Sequence, residues 1–360
     1  MTAHLSIDKF INVSQIGGIE RYTIDDGPGR GVRALCVNTG GGLCYRVLVD
    51  RGLDIDQAFF HHYSLTFLTH KGPTAASQGL ASGLDWLKGF PGGLLTSCGP
   101  TQIGPPGKDG DEELGLHGPH SNSAATLEAV HQPDPHKKRP GMSITGVVRY
   151  GGLYGPCVEL HRTIASPLGE NAIDVIDEFH NLGNQPSPHA WLLHINFGYP
   201  LVDEGAEFCF DSPQVVPTEA PASIARFKPG VDYKRVTAPL ESHRGSDSAV
   251  AYLFPRAKDS SGRTTVAIVN SKLGLGAAVH YNTRQFPRCG NWQHFGPGEY
   301  VTALEPMNGT IDGRWKDRER NALDFIEPGA VRRYRYRIEV VTGAAGIESL
   351  RALNQRGKSV

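Results

Sequence analysis

The sequence predicts an all-β fold of mainly antiparallel strands arranged as a sandwich, with few short helices. Glycine and proline are frequent, with 44 and 25 residues, and they separate short apolar segments in the way that turn residues do. Several of these segments alternate apolar and polar residues, which is the pattern of a strand with one buried face. No predicted strand is followed by GxGxxG or GxxxxGK[ST], so a nucleotide-binding α/β fold has no support.

The length and charge of the chain restrict its organisation and its partners. Its 360 residues exceed the usual domain size of about 100 to 200, but large β-sandwiches often run longer as one unit. We therefore expect residues 1–360 to form a single domain. A net charge of -1 with a pI near 6.9 offers no electrostatic surface for nucleic acid or an anionic membrane.

The chain carries no targeting pattern that we can identify. Its first ten residues lack a basic segment followed by an apolar one, and no apolar run approaches the roughly 18 residues of a membrane span. The six cysteines are scattered without a CxxC pair and are expected to be reduced thiols. We expect a cytoplasmic protein that binds neither nucleic acid nor membrane, and a homodimer is left open.

The first clear element is a β-hairpin. Apolar runs at 34–37 and 43–49 flank Asn-Thr-Gly-Gly-Gly at 38–42, which has the composition of a turn. The second run ends in Asp-Arg-Gly-Leu-Asp-Ile at 50–55, where charges around a glycine suit a tight turn held by an Asp and Arg pair. The alternative is that Arg51 reaches a ligand hydroxyl.

Strands dominate the middle of the chain and return after a polar excursion at 219–248. In the segment 157–165, Arg162 shares its face with Val158, Leu160 and Ile164. The predicted strands in these two regions are 124–130, 143–150, 157–165, 171–181, 249–254, 264–271 and 276–282.

The best defined strand lies near the carboxyl end. Its tyrosines and aliphatic residues occupy one face, and a basic stripe on the other face is predicted to be solvated. The first face carries Tyr334, Tyr336, Ile338 and Val340, and the second carries Arg333, Arg335, Arg337 and Glu339. Apolar spacings of three and four predict a short helix within 79–90, and a closing helix is expected at 347–355.

The segment Trp-Leu-Leu-His-Ile-Asn-Phe-Gly-Tyr-Pro at 191–200 indicates a functional site. An apolar run leads to His194 and Gly-Tyr-Pro then ends the strand, so the imidazole is predicted at the mouth of a pocket. His117, in Leu-His-Gly, and Glu305, in Leu-Glu-Pro, are expected to converge on it. Histidine transfers protons near neutral pH because its usual pKa is about 6.5, and burial can raise a glutamate pKa toward that range. These groups could move protons on and off sugar oxygens.

In this order the motifs resemble those of the aldose 1-epimerase (galactose mutarotase-like) superfamily, in particular its DUF4432 branch. The resemblance covers most of the chain and implies a β-supersandwich with the site on the concave face of a large curved sheet. It is carried by Arg51-Gly-Leu-Asp-Ile55, Gly92-Gly-Leu-Leu95 with Cys98-Gly99, Leu116-His-Gly118, His194-Ile-Asn-Phe-Gly-Tyr-Pro200 and Leu304-Glu-Pro306.

The resemblance also implies roles. His117 would bind the sugar, His194 would protonate the ring oxygen and Glu305 would take the proton of the anomeric hydroxyl. The ring would open to an aldehyde, rotate about C1–C2 and close as the other anomer. We expect a small carbohydrate substrate, no metal and no cofactor. The substrate-binding residues are expected to be His117, Arg51, Asn196, Arg284, Trp292 and His120.

The sequence departs from this family in two respects, since it lacks an arginine in one segment and has no identifiable counterpart of the substrate-binding aspartate, and it leaves two alternatives open. The segment 93–104 lacks the arginine that mutarotases carry before the first histidine, and Arg51, Arg284 or Arg288 would have to replace it. A metal-dependent keto-sugar isomerase or lyase could use the HxxH spacing of His117 and His120 with His194 or Glu305. A non-catalytic carbohydrate-binding protein could grip its ligand with His117, Trp292 and Arg284.

Overall fold

Strands make up most of the regular structure in the computed structural model, which describes residues 6–77 and 82–354. In chain order, β1 to β12 are Gly18–Thr23, Arg33–Asn38, Leu43–Leu48, Asp54–Phe60, Tyr63–Ser64, Thr96–Cys98, Gly107–Asp109, Glu112–Leu114, Ala125–His131, Gly141–Gly151, Cys157–Pro167 and Ala172–Asn181. Strands β13 to β23 are Ser187–His189, Leu192–Gly198, Glu207–Phe210, Val215–Pro217, Ala249–Leu253, Arg263–Asn270, Leu275–Asn282, Arg288–Gly296, Glu299–Met307, Asp324–Ile326 and Val331–Thr342. Helices α1 to α4 are Trp86–Gly89, Pro221–Phe227, Arg314–Glu319 and Gly343–Arg351.

Two large antiparallel sheets form the sandwich. The eight-stranded sheet has the order β15-β18-β19-β23-β12-β11-β10-β9, and the six-stranded sheet has the order β16-β17-β20-β21-β14-β6. Ile173 and Ile338 from the first sheet share one buried apolar cluster with Leu193 and Leu304 from the second. A five-stranded sheet, β1 to β5, contributes to the same cluster. The predicted all-β, mainly antiparallel fold class is confirmed.

The strongest local patterns in the sequence correspond to observed strands. The hairpin pairs β2 with β3, and Asn38 lies opposite Cys44 across the predicted turn. On β23, Tyr334, Tyr336 and Ile338 are buried while the arginines between them are not. One face of this strand packs into the core and the other carries ion pairs to neighbouring strands.

The helices differ more from expectation. Helix α1 has only four residues. Leu84 and Leu87 are mostly exposed, so their spacing forms no buried face that would stabilise a longer helix. Residues 79–81 of the predicted helix lie outside the described residues. The closing helix begins earlier than predicted, at Gly343. Within the predicted excursion, Pro221–Phe227 forms the unforeseen helix α2.

A buried network of charges crosses the sandwich. Arg162 on β11 is fully buried, and its guanidinium donates to Asp177 Oδ1 at 2.7 Å and to Asp54 Oδ1 at 2.9 Å. Asp54 in turn accepts hydrogen bonds from the main-chain N–H and the hydroxyl of Ser97. Since Ser97 pairs in register with Leu193, the network supports the strand that carries His194.

Two expectations about the chemistry of the chain can be compared with the described residues. The six cysteines form no disulfide among the described residues, and their reduced state stays a prediction. Within 6–77 and 82–354, no helix is long and apolar enough to cross a membrane.

Candidate active site

Two adjacent interior strands of the six-stranded sheet hold the two proposed proton-transfer groups. On β14, Leu193 and Ile195 belong to the main core cluster, so His194 projects from the opposite face. Glu305 lies on the neighbouring strand β21, which pairs with β14. The sequence suggested that His194 lies at the end of its strand. It is instead the third residue of β14. Because this strand is buried on both faces, its apolar run continues beyond the histidine.

His194 and Glu305 are in direct contact. His194 Nε2 lies 3.1 Å from Glu305 Oε1, and His194 Nδ1 lies 2.5 Å from the Asn196 side-chain oxygen. The Asn196 amide nitrogen donates to the main-chain oxygen of His194, which assigns its side-chain oxygen as the acceptor for Nδ1–H. The Nε2 atom therefore faces the carboxyl group, and a single proton can be shared between them.

Burial controls the protonation of Glu305. This residue is only 3% exposed, and its burial raises the pKa of the carboxyl group, while the nearby His194 opposes the rise. A protonated Glu305 can donate to His194 Nε2 across their 3.1 Å contact.

The backbone around His117 fixes its position and its tautomer. His117 adopts a left-handed conformation with φ of 57°, which is uncommon outside glycine. Its N–H donates to Gly104 O and its carbonyl accepts from Gly99 N–H, each at 2.9 Å. Gly104 N–H also approaches His117 Nδ1 at 3.3 Å. Because Nδ1 is the acceptor, the neutral ring carries its proton on Nε2 and can donate it to a ligand.

His117 is neutral at physiological pH. Burial, together with the proximity of His194, lowers the pKa of His117 to about 3. The rings of His117 and His194 meet edge to face, with centroids 5.9 Å apart. A second positive charge beside the His194–Glu305 pair is thereby avoided.

This low pKa predicts a pH dependence of stability. An unfolded histidine has a pKa of about 6.5, so the contribution of neutral His117 is complete above that pH and is lost as the pH falls toward 3. Between pH 7.5 and 5.5, wild type should lose about 1 kcal/mol more free energy of unfolding than His117→Gln. Urea unfolding at both pH values tests this. His189→Gln should behave in the same way, since burial also lowers the pKa of His189 to about 3; equal losses in wild type and both variants would contradict the prediction.

Aromatic rings enclose the three groups in a pocket of about 680 Å³. The Trp86 ring lies 4.8 Å from that of His117, and the rings of Phe90 and Trp292 lie 5.5 and 5.3 Å from that of His194. His117, His194 and Glu305, which are far apart in the sequence, all line this pocket. Sequence reasoning identified Trp292 but missed Trp86 and Phe90, since nothing local distinguishes them from core aromatics.

Arg51 does not line this pocket, so its expected contact with a ligand is not supported. It is 1% exposed, and its guanidinium donates to the main-chain oxygens of Ser121, Thr74 and Gly89 and to the Thr74 hydroxyl. None of these hydrogen bonds goes to an aspartate, so the other interpretation, a tight turn held by an Asp and Arg pair, is not supported either. Gly89 ends α1 and Ser121 follows the His117 turn, so Arg51 fixes two segments that bear pocket residues.

Three other predicted binding residues also lie elsewhere. Asn196 is fully buried behind His194 and orients it. His120 is fully buried, with Nδ1 bonded to the Tyr150 hydroxyl and Nε2 3.5 Å from Asp54 Oδ1. Arg284 is exposed in a turn and donates to Ser260 O. The predictions that Asn196, His120 and Arg284 contact substrate are therefore corrected, because internal hydrogen bonds hold Asn196 and His120, and Arg284 is not among the residues that line the pocket.

The geometry also bears on the metal alternative. The His117 ring faces the pocket, while the His120 ring packs edge to face on Trp191 with centroids 4.8 Å apart. The left-handed turn at His117 separates the two rings in spite of their HxxH spacing. In the described part of the chain, no group of three or more His, Cys, Asp or Glu side chains is arranged to hold a metal.

Comparison with known proteins assigns this architecture to a recognised fold. A family model described as domain of unknown function DUF4432 matches residues 29–340. A Klebsiella pneumoniae protein that is provisionally named an aldose 1-epimerase superposes with a TM-score of 0.86 at 21% identity, covering 96% of this chain and 91% of that one. No curated protein matches the chain.

Two further solved structures share the fold at lower identity. A galactose mutarotase-like protein from Clostridium acetobutylicum has a TM-score of 0.62 at 12% identity, covering 90% of this chain and 98% of its own. A galactose 1-epimerase from Lactobacillus acidophilus has a TM-score of 0.57 at 10% identity, with coverages of 91% and 99%. These similarities establish a galactose mutarotase-like fold.

Proposed function

Because this chain belongs to the DUF4432 family and has a galactose mutarotase-like fold, we propose that it interconverts the anomers of a sugar by acid-base ring opening. The observation that carries the proposal is the contact between His194 and Glu305, beside His117, at the wall of an aromatic pocket. A pocket of this kind, with a few convergent polar groups, is a typical ligand site.

The mechanism uses the shared proton of the pair. With the proton on His194, its Nε2–H donates to the ring oxygen of the sugar while Glu305 accepts the proton of the anomeric hydroxyl. The bond between C1 and the ring oxygen breaks, and its electron pair goes to the ring oxygen, which takes the proton from His194. The anomeric oxygen forms a double bond to C1 and leaves its proton on Glu305.

Ring closure reverses these transfers. Rotation about C1–C2 presents the other face of the aldehyde, the ring hydroxyl attacks it, and its proton returns to His194 while Glu305 reprotonates the anomeric oxygen. The pair ends with the proton count with which it began. Positioned acid-base groups contribute roughly 10²- to 10⁴-fold to such reactions. His117, with its proton on Nε2, would hold a sugar oxygen in place.

The proposal is tested by exchange NMR on a panel of free aldoses. Each sugar is equilibrated, and the rate of magnetisation transfer between its anomeric protons is measured with and without protein. We expect faster exchange for at least one sugar. If a sugar binds, as judged by tryptophan fluorescence, and exchange remains at the uncatalysed rate, the protein is a carbohydrate-binding protein and the proposal fails.

Gly290 provides a structural test of the Glu305 position. Gly290 pairs with Glu305 across β20 and β21, and a Cβ added at Gly290 would lie 2.5 Å from Glu305 Oε2. Gly290→Ala must therefore displace the carboxyl group, and we expect a loss of about 10²-fold in exchange rate. Gly141→Ala is the control because a Cβ there meets nothing within 4 Å. Equal rates in the two variants would show that the position of this carboxyl is unimportant.

A further inference from the structure

The pocket extends beyond the His194–Glu305 pair to a second group of polar side chains. Trp292 and His294 project from the same face of β20, with their rings stacked at a centroid distance of 6.0 Å and an angle of 16°. The Trp292 ring also meets that of His194 at 5.3 Å. His294 and Glu299 line the same pocket as His194 and Glu305, so the Trp292 ring contacts both groups.

We propose that this outer group is a second sugar-binding subsite, and that the substrate is an uncharged reducing disaccharide or a similarly glycosylated aldose. The inference rests on the proposed function, because it places the reducing sugar at His194 and Glu305. The second sugar unit would lie against Trp292, His294 and Glu299, with Ser246 and Ser248 at the edge of the pocket.

The dimensions of the pocket support two sugar units. Its volume of about 680 Å³ lies within the range of about 300 to 1,000 Å³ that encloses drug-sized ligands, which are larger than a monosaccharide. The Trp292 ring lies between the two groups, with its centroid 5.3 Å from that of His194 and 6.0 Å from that of His294. The pocket therefore has room for a second sugar unit on the far side of Trp292 from the His194–Glu305 pair.

The outer polar groups suit hydroxyls. His294 Nδ1 lies 3.1 Å from the main-chain oxygen of Asp247 and donates to it, which directs Nε2 toward Glu299 Oε2 at 3.4 Å. His294 is 5% exposed, while the Glu299 side chain is 64% exposed. With its Nδ1–H engaged, His294 offers Nε2 as an acceptor, and the solvent-facing Glu299 carboxylate offers further acceptors, for the O–H groups of a sugar. The indole face of Trp292 offers an apolar surface for a sugar ring.

The charges of the lining select against anionic sugars. Among the described residues that line the pocket, none is lysine or arginine, and the outer group contains the Glu299 carboxylate. A phosphate or carboxylate bound there would meet like charge without a lysine or arginine to compensate it, and such a contact lowers affinity. We therefore expect glucose 6-phosphate to be a poorer substrate than glucose.

The test compares monosaccharides with disaccharides that have the same reducing sugar. Exchange NMR with glucose, cellobiose, maltose and glucose 6-phosphate should give a kcat/KM at least about tenfold higher for one disaccharide than for glucose. Ser246→Trp, which places a bulky ring at the exposed outer edge, and Glu299→Gln should both lower the ratio of disaccharide to glucose rates. Glu178→Gln, on the exposed face of β12, is the matched control and should leave that ratio unchanged.

The outcomes separate the two proposals. A ratio near one in wild type, or a ratio that neither variant changes, would overturn the subsite. Equal rates for glucose and glucose 6-phosphate would overturn the proposal that the substrate is uncharged. If no sugar shows exchange, the proposed function fails and the subsite is judged by tryptophan fluorescence titration: tighter binding of a disaccharide than of glucose that is lost in Ser246→Trp supports it, and equal binding overturns it.

Discussion

Replacement of Glu305 by glutamine is expected to lower the rate of anomer exchange by about 10²- to 10⁴-fold. The amide has nearly the shape of the carboxyl group and can still contact His194, whose Nε2 lies 3.1 Å from Glu305 Oε1. It cannot accept a proton from the anomeric hydroxyl. The loss should therefore appear in kcat, and KM should change little, because the binding surface is retained.

Stability measurements distinguish this catalytic effect from misfolding. Burial raises the pKa of Glu305, which means that the fold gains nothing from its charge, and Glu305→Gln should unfold in urea at or above the wild-type midpoint. Glu178→Gln serves as the control, since Glu178 forms an ion pair with Arg333 on the sheet surface. If Glu305→Gln binds the sugar and exchanges its anomers at the wild-type rate, Glu305 has no part in the mechanism.

Arg162→Met is expected to reduce the free energy of unfolding by about 3 to 5 kcal/mol. The guanidinium is fully buried and contacts both Asp54 and Asp177 at 2.7 to 2.9 Å. Methionine fills part of the same space but leaves two buried carboxylates without their cation. Removing one partner of such a network is far more costly than replacing the whole network by apolar residues.

Arg149→Met provides the matched control for this prediction. Arg149 lies on β10, next to β11, and pairs with Glu159 while its side chain stays 59% exposed, so its loss should cost less than about 1 kcal/mol. Urea denaturation of both variants measures the difference. Similar midpoints for Arg149→Met and Arg162→Met would contradict a structural role for the buried network.

The pocket also explains how a chain without an arginine in segment 93–104 could hold a sugar. Arg51 donates to main-chain oxygens, Arg284 is exposed in a turn and donates to Ser260 O, and neither Arg284 nor Arg288 is among the lining residues. Among the described lining residues, side-chain donors come from histidines, hydroxyls and indole N–H groups, and Trp86, Phe90 and Trp292 also supply apolar surface. This composition is consistent with an uncharged ligand.

The sequence by itself determined the fold class and the convergence of the principal groups. Strand β23 could be predicted because its alternation is local and complete, with Tyr334 and Tyr336 on the buried face. The motifs around His117, His194 and Glu305 predicted three chemically suitable side chains, and the fold brings all three to one pocket. The acid-base role assigned to them stays a prediction.

Only the tertiary structure decided which polar residues face the pocket and which are internal. Arg51 and Arg162 have the same side chain as surface arginines, yet both are buried because carbonyls or carboxylates from distant segments surround them. His120 lies three residues from His117 and faces the core, since the backbone turns left-handed between them. A sequence pattern reports the face of a local element, whereas burial and hydrogen-bond partners depend on segments far along the chain that pack against it.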